Sequence, residues 1–130
     1  MTSGTFTAIT DDVLIDDETF GFSFIASGAL TAGMLVKPAG PMQVIKTADG
    51  ADNAIGIAGD TVAKGHSVAV YGKGCIIRSC VASSTSYGDD LFAGHDGAFE
   101  NTQTYGGVFP SVGIALDTKA ADAACKILLK

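Results

Sequence analysis

Side chains that commonly perform chemistry are few and scattered in this sequence. His66 and His95 are the two histidines, and the sequence places both in turns. Neither has thiolate or carboxylate partners at a spacing typical of a zinc site. Asp89, Asp90 and Asp96 could bind a calcium ion loosely, but the sequence lacks the Asp-x-Asp-x-Asp-Gly loop of a regular calcium site. Adjacent residues in a turn point apart, so His95 and Asp96 make a poor acid–base pair.

Sequence motifs of known catalytic and nucleotide-binding sites are also missing. The chain has no Gly-x-Ser-x-Gly elbow, no P-loop and no dinucleotide fingerprint. Cys75 and Cys80 lie five residues apart in a strand-like stretch, on opposite faces of a regular strand, and Cys125 lies among small and apolar residues. We therefore predict reduced thiols, no catalytic residue, no metal and no cofactor, and hence a protein that is not an enzyme.

One polar pair recurs and leads to an internal repeat. Asp60-Thr61 and Asp117-Thr118 occupy the same place in two matching stretches, 55–63 and 112–120, which are identical at six of nine positions. The match continues without a gap from 68–70 to 125–127. Recurrence favours turn geometry over a single active site, because aspartate in a turn accepts backbone N–H bonds. A match at a fixed offset indicates one β-unit used twice.

The elements that hold these stretches read as strands throughout the chain. Short alternating segments separated by glycine-rich turns predict about ten strands and no long helix. Pro38 is expected to interrupt the strand that begins near Met34, since proline cannot donate to a sheet ladder. We predict an all-β fold, a compact β-barrel or β-sandwich, with repeat copies near 54–70 and 112–127. The side chains expected to point inward are Ile57, Val68, Val70, Ile114, Ile127 and Leu129.

The N-terminal segment differs from the rest and reads as an extended arm. We assign residues 1–24 to the arm and an entry strand, and residues 25–130 to the barrel domain. Five carboxylates bracket a short apolar run, and no lysine or arginine precedes Lys37. Such a segment is either mobile alone and ordered on a partner, or an edge strand with a solvated acidic turn. The carboxylates are Asp11, Asp12, Asp16, Asp17 and Glu18, and the apolar run is Val13, Leu14 and Ile15.

An aromatic stripe follows the arm. Phe20, Phe22 and Phe24 share one face of a strand at period two. A stripe of this kind is typical of a core or of a subunit interface rather than of a ligand platform.

The composition points to a protein partner. Of the 130 residues, 47% are hydrophobic and only 17% are charged, with a net charge of −6. A lone domain usually carries about a quarter charged residues, so part of the surface is expected to be covered. Without a basic patch, nucleic-acid binding is not expected. No apolar run reaches the roughly 18 residues of a membrane span, and no signal peptide is recognisable, so we expect synthesis in a cytoplasm and use without export.

From about residue 27 to the C-terminus, the order of strands and glycine turns resembles a known family. The carrying stretches are Gly33-Met34-Leu35-Val36, Ala54-Ile55-Gly56-Ile57-Ala58, Gly65 to Val70, Gly88-Asp89-Asp90-Leu91-Phe92 with the turn Asp96-Gly97, Val112-Gly113-Ile114-Ala115-Leu116, and Lys126-Ile127-Leu128-Leu129. This order is similar to that of the small capsid decoration, or cement, proteins of tailed bacteriophages and related viruses. The resemblance implies a homotrimer that sits on the outside of an assembled shell, bridges major capsid proteins and has no catalytic residues.

Two functional hypotheses follow. The first is a structural protein that stabilises a viral capsid from its outer surface. The second is a carbohydrate- or receptor-binding β-module on the viral head, for which Tyr71, Tyr87 and Tyr105 would have to form an aromatic groove. For the first, we take the arm and the aromatic stripe as the capsid or subunit contact. Its candidate residues are Asp11, Asp12, Val13, Leu14, Ile15, Asp16, Asp17, Phe20, Phe22 and Phe24.

Overall fold

The computed structural model describes residues 6–8, 14–16, 22–48, 53–101 and 111–130. These residues form eleven β-strands and one short 3₁₀ turn, His95–Gly97. The all-β fold predicted from the sequence is confirmed. The strands are β1 (Leu14–Asp16), β2 (Phe22–Ala26), β3 (Leu35–Gly40), β4 (Gln43–Lys46), β5 (Gly56–Ala58), β6 (Ser67–Tyr71), β7 (Ile76–Val81), β8 (Asp90–Ala93), β9 (Phe99–Glu100), β10 (Gly113–Ala115) and β11 (Ala123–Leu129).

The strands close into two small barrels that follow one another along the chain. The first barrel has the strand order β2-β4-β3-β5-β6 and closes through β2 and β6. The second has the order β7-β9-β8-β10-β11 and closes through β7 and β11. In both, the first and third strands of the unit run parallel and the remaining neighbours run antiparallel. The sequence predicted one barrel domain over residues 25–130. The strands form two barrels, the first of which begins with β2 at Phe22, and the domain boundary at residue 25 stays a prediction.

The second barrel repeats the first in the same register. Strands β2, β3 and β4 map onto β7, β8 and β9 when 55 is added to each residue number, as from Phe22 to Ile77. Strands β5 and β6 map onto β10 and β11 when 57 is added, as from Val70 to Ile127. The duplicated unit is therefore a complete barrel. Matching pairs are Phe22–Val70 and Ile77–Ile127, Ala26–Val44 and Val81–Phe99, Lys37–Ile45 and Phe92–Glu100, Val36–Gly56 and Leu91–Gly113, and Ala58–Val70 and Ala115–Ile127.

The recurring Asp-Thr pair of the sequence lies in matching turns. The Thr61 hydroxyl oxygen accepts a bond from the Ala32 N–H at 3.1 Å, and the Thr118 oxygen accepts one from the Tyr87 N–H at 3.1 Å. One threonine in each barrel thus joins the turn before the second strand to the turn after the fourth. The pair therefore serves turn geometry, but the acceptor common to both copies is the threonine and not the aspartate that was expected. Asp117 Oδ2 accepts a bond from the Lys126 N–H at 3.2 Å.

Alternate residues of the first barrel serve two different cores. Val36 and Ala58 pack inside the first barrel with Val44, Val68 and Val70. Their neighbours Leu35 and Ile57 join the core cluster of the second barrel, which includes Ile77, Leu91, Phe99 and Ile127. Side chains alternate between the two faces of a strand, so the outer face of β3 and β5 supplies the apolar contact between the barrels. A buried hydroxyl of Ser79 adds a bond to the Gly33 carbonyl oxygen at 2.5 Å.

The expectation that Ile114 points inward is wrong. Ile57, Val68, Val70, Ile127 and Leu129 are buried as predicted, but Ile114 is only half-buried. Ile114 is the second-barrel equivalent of Ile57 and lies on the outer face of its barrel. Ile57 is buried there because the second barrel covers it, whereas the outer face at Ile114 has its paired neighbour Asp90 exposed.

The expected break at Pro38 is also absent. Strand β3 continues through Pro38 to Gly40, with Pro38 opposite Val44. On its other side, β5 pairs with β3 only at Leu35 and Val36. Pro38 therefore lies beyond the end of β5, where the missing N–H removes no ladder bond.

In the described part of the chain, no helix has the length and apolar character needed to cross a lipid bilayer.

Candidate interaction surface

Three large apolar side chains lie exposed on the first barrel. Phe22, Ile25 and Met42 are exposed to 63%, 40% and 60%, and we call these three residues the β2 patch. The backbone N–H of Ile25 donates to the carbonyl oxygen of Met42 at 2.9 Å, so β2 and the turn before β4 carry the patch together. Phe22 lies three residues before Ile25 on β2, on the opposite face of the strand. Large apolar side chains left exposed in this way are often used in binding.

The same strand has an open backbone position between these residues. Phe22 and Phe24 lie opposite Val70 and Val68 of β6, and Ser23 lies opposite Ala69. The carbonyl of Ala69 accepts a bond from the Gly59 N–H on the far side of β6, so Ala69 does not bond to Ser23. The N–H and C=O of Ser23 therefore point away from β6. On that side β4 pairs only with Ile25 and Ala26, and no described strand pairs with Ser23.

The equivalent surface of the second barrel is covered. Phe22, Ile25 and Met42 correspond to Ile77, Cys80 and Gly97, all of which are buried. Strand β1 pairs with β7 there, with Leu14 opposite Ile77.

Residues of the arm cover Cys80 and its surroundings. Phe6 packs against the cluster that contains Cys80. The Thr7 N–H points at the Cys80 Sγ at 3.3 Å, and the Phe6 N–H donates to Asp96 Oδ2 at 3.2 Å. Asp96 also pairs with Lys46 of the first barrel. The arm therefore covers Cys80, the equivalent of Ile25, whereas Gly97, the equivalent of Met42, lies against Met34 and Leu35 of the first barrel.

The predicted contact residues are divided among these features. Leu14, Ile15 and Asp16 form β1, which fits the edge-strand interpretation of that part of the arm. Phe22 is exposed, whereas Phe24 is half-buried against the first core. The remaining candidates, Asp11, Asp12, Val13, Asp17 and Phe20, lie outside the described residues.

Sequence reasoning missed two members of the β2 patch. Ile25 was counted with the strand and Met42 with the next strand, because neither carries a motif. A signal was present in the strand pattern: Ile25 falls on the opposite face from Phe22 and Phe24, so an apolar residue occupies the outward face.

The aromatic groove of the alternative hypothesis involves residues in different settings. Tyr71 is half-buried and packs against the core cluster of the second barrel. Tyr87 is 72% exposed in a turn of that barrel. Tyr105 lies outside the described residues.

The three cysteines are buried and are not joined to one another. Cys75 and Cys125 belong to the core cluster of the second barrel, and Cys80 belongs to a separate small cluster. Burial raises the pKa of the Cys80 thiol above its ordinary value, an effect partly offset by the Thr7 N–H. Burial likewise raises the pKa of Cys125. A raised pKa keeps these thiols neutral and weakly nucleophilic at physiological pH. Among the residues described, no group of three or more His, Cys, Asp or Glu side chains is placed to hold a metal ion.

The fold is similar to that of a bacteriophage protein. The crystal structure of the N base of the head fiber protein gp8.5 of bacteriophage phi29 matches with a TM-score of 0.65 and 19% sequence identity. The match covers 85% of this chain and 92% of that chain. At this level of identity the likeness establishes the fold. No protein-family model matches the chain, and no curated protein matches it.

Proposed function

We propose that this protein is a structural component of a bacteriophage head, which binds the outer surface of the assembled capsid and strengthens it. The observation that carries the proposal is the likeness of fold to the base of a phage head fiber over most of both chains. The decoration-protein resemblance seen in the sequence points the same way. The partner is the major capsid protein, and the protein is made in the host cytoplasm.

The proposed effect needs binding alone. A protein that binds only the assembled shell stabilises it by mass action, by about 2.7 kcal/mol per site at a hundredfold excess over the dissociation constant. The proposal therefore involves no enzymatic step, cofactor, nucleic acid or membrane. The β2 patch supplies apolar surface for such contacts, at about 1.5–3 kcal/mol for a large side chain that becomes fully buried.

Self-association would multiply this effect. We propose a homotrimer, as the family resemblance implies, because linked sites rebind at high effective concentration. Phe22, at 63% exposure, is the described member of the aromatic stripe available for a subunit contact. Sedimentation equilibrium at micromolar concentration should give the trimer mass, and a monomer both free in solution and on particles would contradict this assignment.

Capsid binding can be tested with particles that lack the protein. The purified chain should sediment with them and raise the temperature at which they release DNA. A double variant, Phe22→Ser with Met42→Ser, should bind at least tenfold more weakly because it removes most of the apolar patch. Tyr87→Ser is the matched control, since it removes an exposed aromatic group from the second barrel. If the wild-type chain does not bind the particles, the proposed function is wrong.

A further inference from the structure

We propose that the open edge of β2 at Ser23 binds an extended segment of the shell protein as an added antiparallel strand. The inference rests on the proposed function for the identity of that partner. It concerns how the contact is made: by backbone pairing at Ser23, with the β2 patch packing against the side chains of the added strand.

The first support is the backbone geometry at Ser23. Its N–H and C=O point away from β6, and β4 comes within pairing range only from Ile25 onward. Sheet edges with a free donor and acceptor accept strands from other polypeptides, and the main-chain bonds supply part of the affinity. The apolar residues Phe22 and Ile25 flank the free position on the two faces of β2.

The second support is the internal repeat. Ser23 corresponds to Arg78 of β7, and the arm strand β1 pairs with β7 at the neighbouring residues Ile76 and Ile77. The same edge of the equivalent strand therefore pairs with an antiparallel strand in the second barrel. The occupant there is a short extended segment, in which Leu14 is in register with Ile77, the residue equivalent to Phe22.

The arm of this chain does not supply the second occupant. Each chain has one arm and two equivalent edges, and its own arm lies on β7. Any closed assembly of identical chains that exchange arms would still leave one edge per chain without an arm. With the arm strand β1 already on β7, we assign the strand on β2 to another polypeptide, which in the proposed setting is the protein of the shell.

A peptide that copies the arm tests the edge directly. The full-length protein is titrated with a fluorescent synthetic peptide spanning Thr10–Phe20. The central residues of this peptide are those of β1, which pairs with β7. The tethered arm holds its own site at high effective concentration, so the peptide should bind β2, with one peptide per chain. Ser23→Pro removes the outward N–H without breaking a bond to β6, and should weaken peptide binding at least tenfold. Ser23→Ala keeps that N–H and should bind as the wild type does.

The outcomes separate the edge from its partner. The strand site is wrong if the peptide shows no saturable binding. It is also wrong if Ser23→Pro and Ser23→Ala bind the peptide equally while both variants unfold at the same temperature. Capsid binding should fall in Ser23→Pro and persist in Ser23→Ala. Equal capsid binding by the two variants overturns the assignment to the shell protein. If peptide binding depends on Ser23 while the wild-type chain fails to bind capsids, the edge stands and the proposed function is wrong.

Discussion

Two glycines at equivalent positions show how single residues set the spacing between strands. A Cβ on Gly56 would lie 2.3 Å from the carbonyl oxygen of Tyr71 and 3.0 Å from a methyl group of Val70. A Cβ on Gly113 would lie 2.7 Å from a methyl group of Ile127. Both glycines are identical members of the repeated stretch, so close approach to the next strand explains why the repeat retains them.

We predict that Gly56→Ala lowers the free energy of unfolding by at least about 2 kcal/mol, because an added methyl group would collide with backbone atoms that cannot turn aside. Urea unfolding followed by circular dichroism measures the change. Gly28→Ala is the control, since its nearest neighbour would be an Ile45 carbon at 3.6 Å, an ordinary contact. Equal stability of the two variants would show that β5 and β6 can separate without cost.

At the scale of elements, the arm protects one edge and one thiol of the second barrel. Strand β1 pairs with β7, while Phe6 and Thr7 contact Cys80 and its surroundings. The thiol is held neutral chiefly because burial raises its pKa, and the arm contributes to that burial. The reactivity of Cys80 therefore reports whether the arm is in place.

We predict that deleting residues 1–8 accelerates alkylation of Cys80 by iodoacetamide at pH 8 at least tenfold. Removing these residues gives the reagent access to the sulfur, because Phe6 packs against the Cys80 cluster and the Thr7 N–H contacts the Cys80 Sγ. Alkylation of a buried thiol is limited by its exposure. Mass spectrometry of labelled peptides gives the rate, and Cys125 in the same sample is the control. Parallel acceleration at both cysteines would indicate general unfolding instead.

At the scale of the whole molecule, two similar barrels are joined asymmetrically. The outer face of β3 and β5 in the first barrel is buried by the second, through Leu35 and Ile57. The equivalent face of the second barrel carries Asp90, paired with Lys130 at 3.4 Å on the surface, and the half-buried Ile114. Duplication thus produced one face that is used inside the chain and one that is not.

Replacing the equivalent isoleucines should reveal this asymmetry. We predict that Ile57→Ala lowers the free energy of unfolding by about 3 kcal/mol, because it leaves a cavity between the barrels. Ile114→Ala should cost about 1 kcal/mol, because its side chain is already partly in water. Thermal unfolding of both variants measures the difference, and a single cooperative transition is expected in each. Equal losses would mean that the inter-barrel contact contributes little.

The sequence by itself determined the all-β fold and the repeat of its most regular part. Alternation and glycine turns gave the strands, and 55–63 matched 112–120 because both carry the glycine and threonine that their turns and close contacts require. Val68, Val70, Ile127 and Leu129 are buried as predicted for the same reason, since strand alternation is a local property.

Only the tertiary structure revealed that the repeat is a whole barrel. Residues 22–46 and 77–101 share a register but a single identical residue, Gly33 with Gly88, whose φ values of 95° and 89° favour glycine. Strand pairing requires side chains of suitable size on the correct face and does not require particular residues. The two segments can therefore keep the same register although almost none of their residues are identical. The burial of Ile57, the exposure of Ile114, and the cover of one edge but not the other depend on contacts between distant segments, which no local pattern encodes.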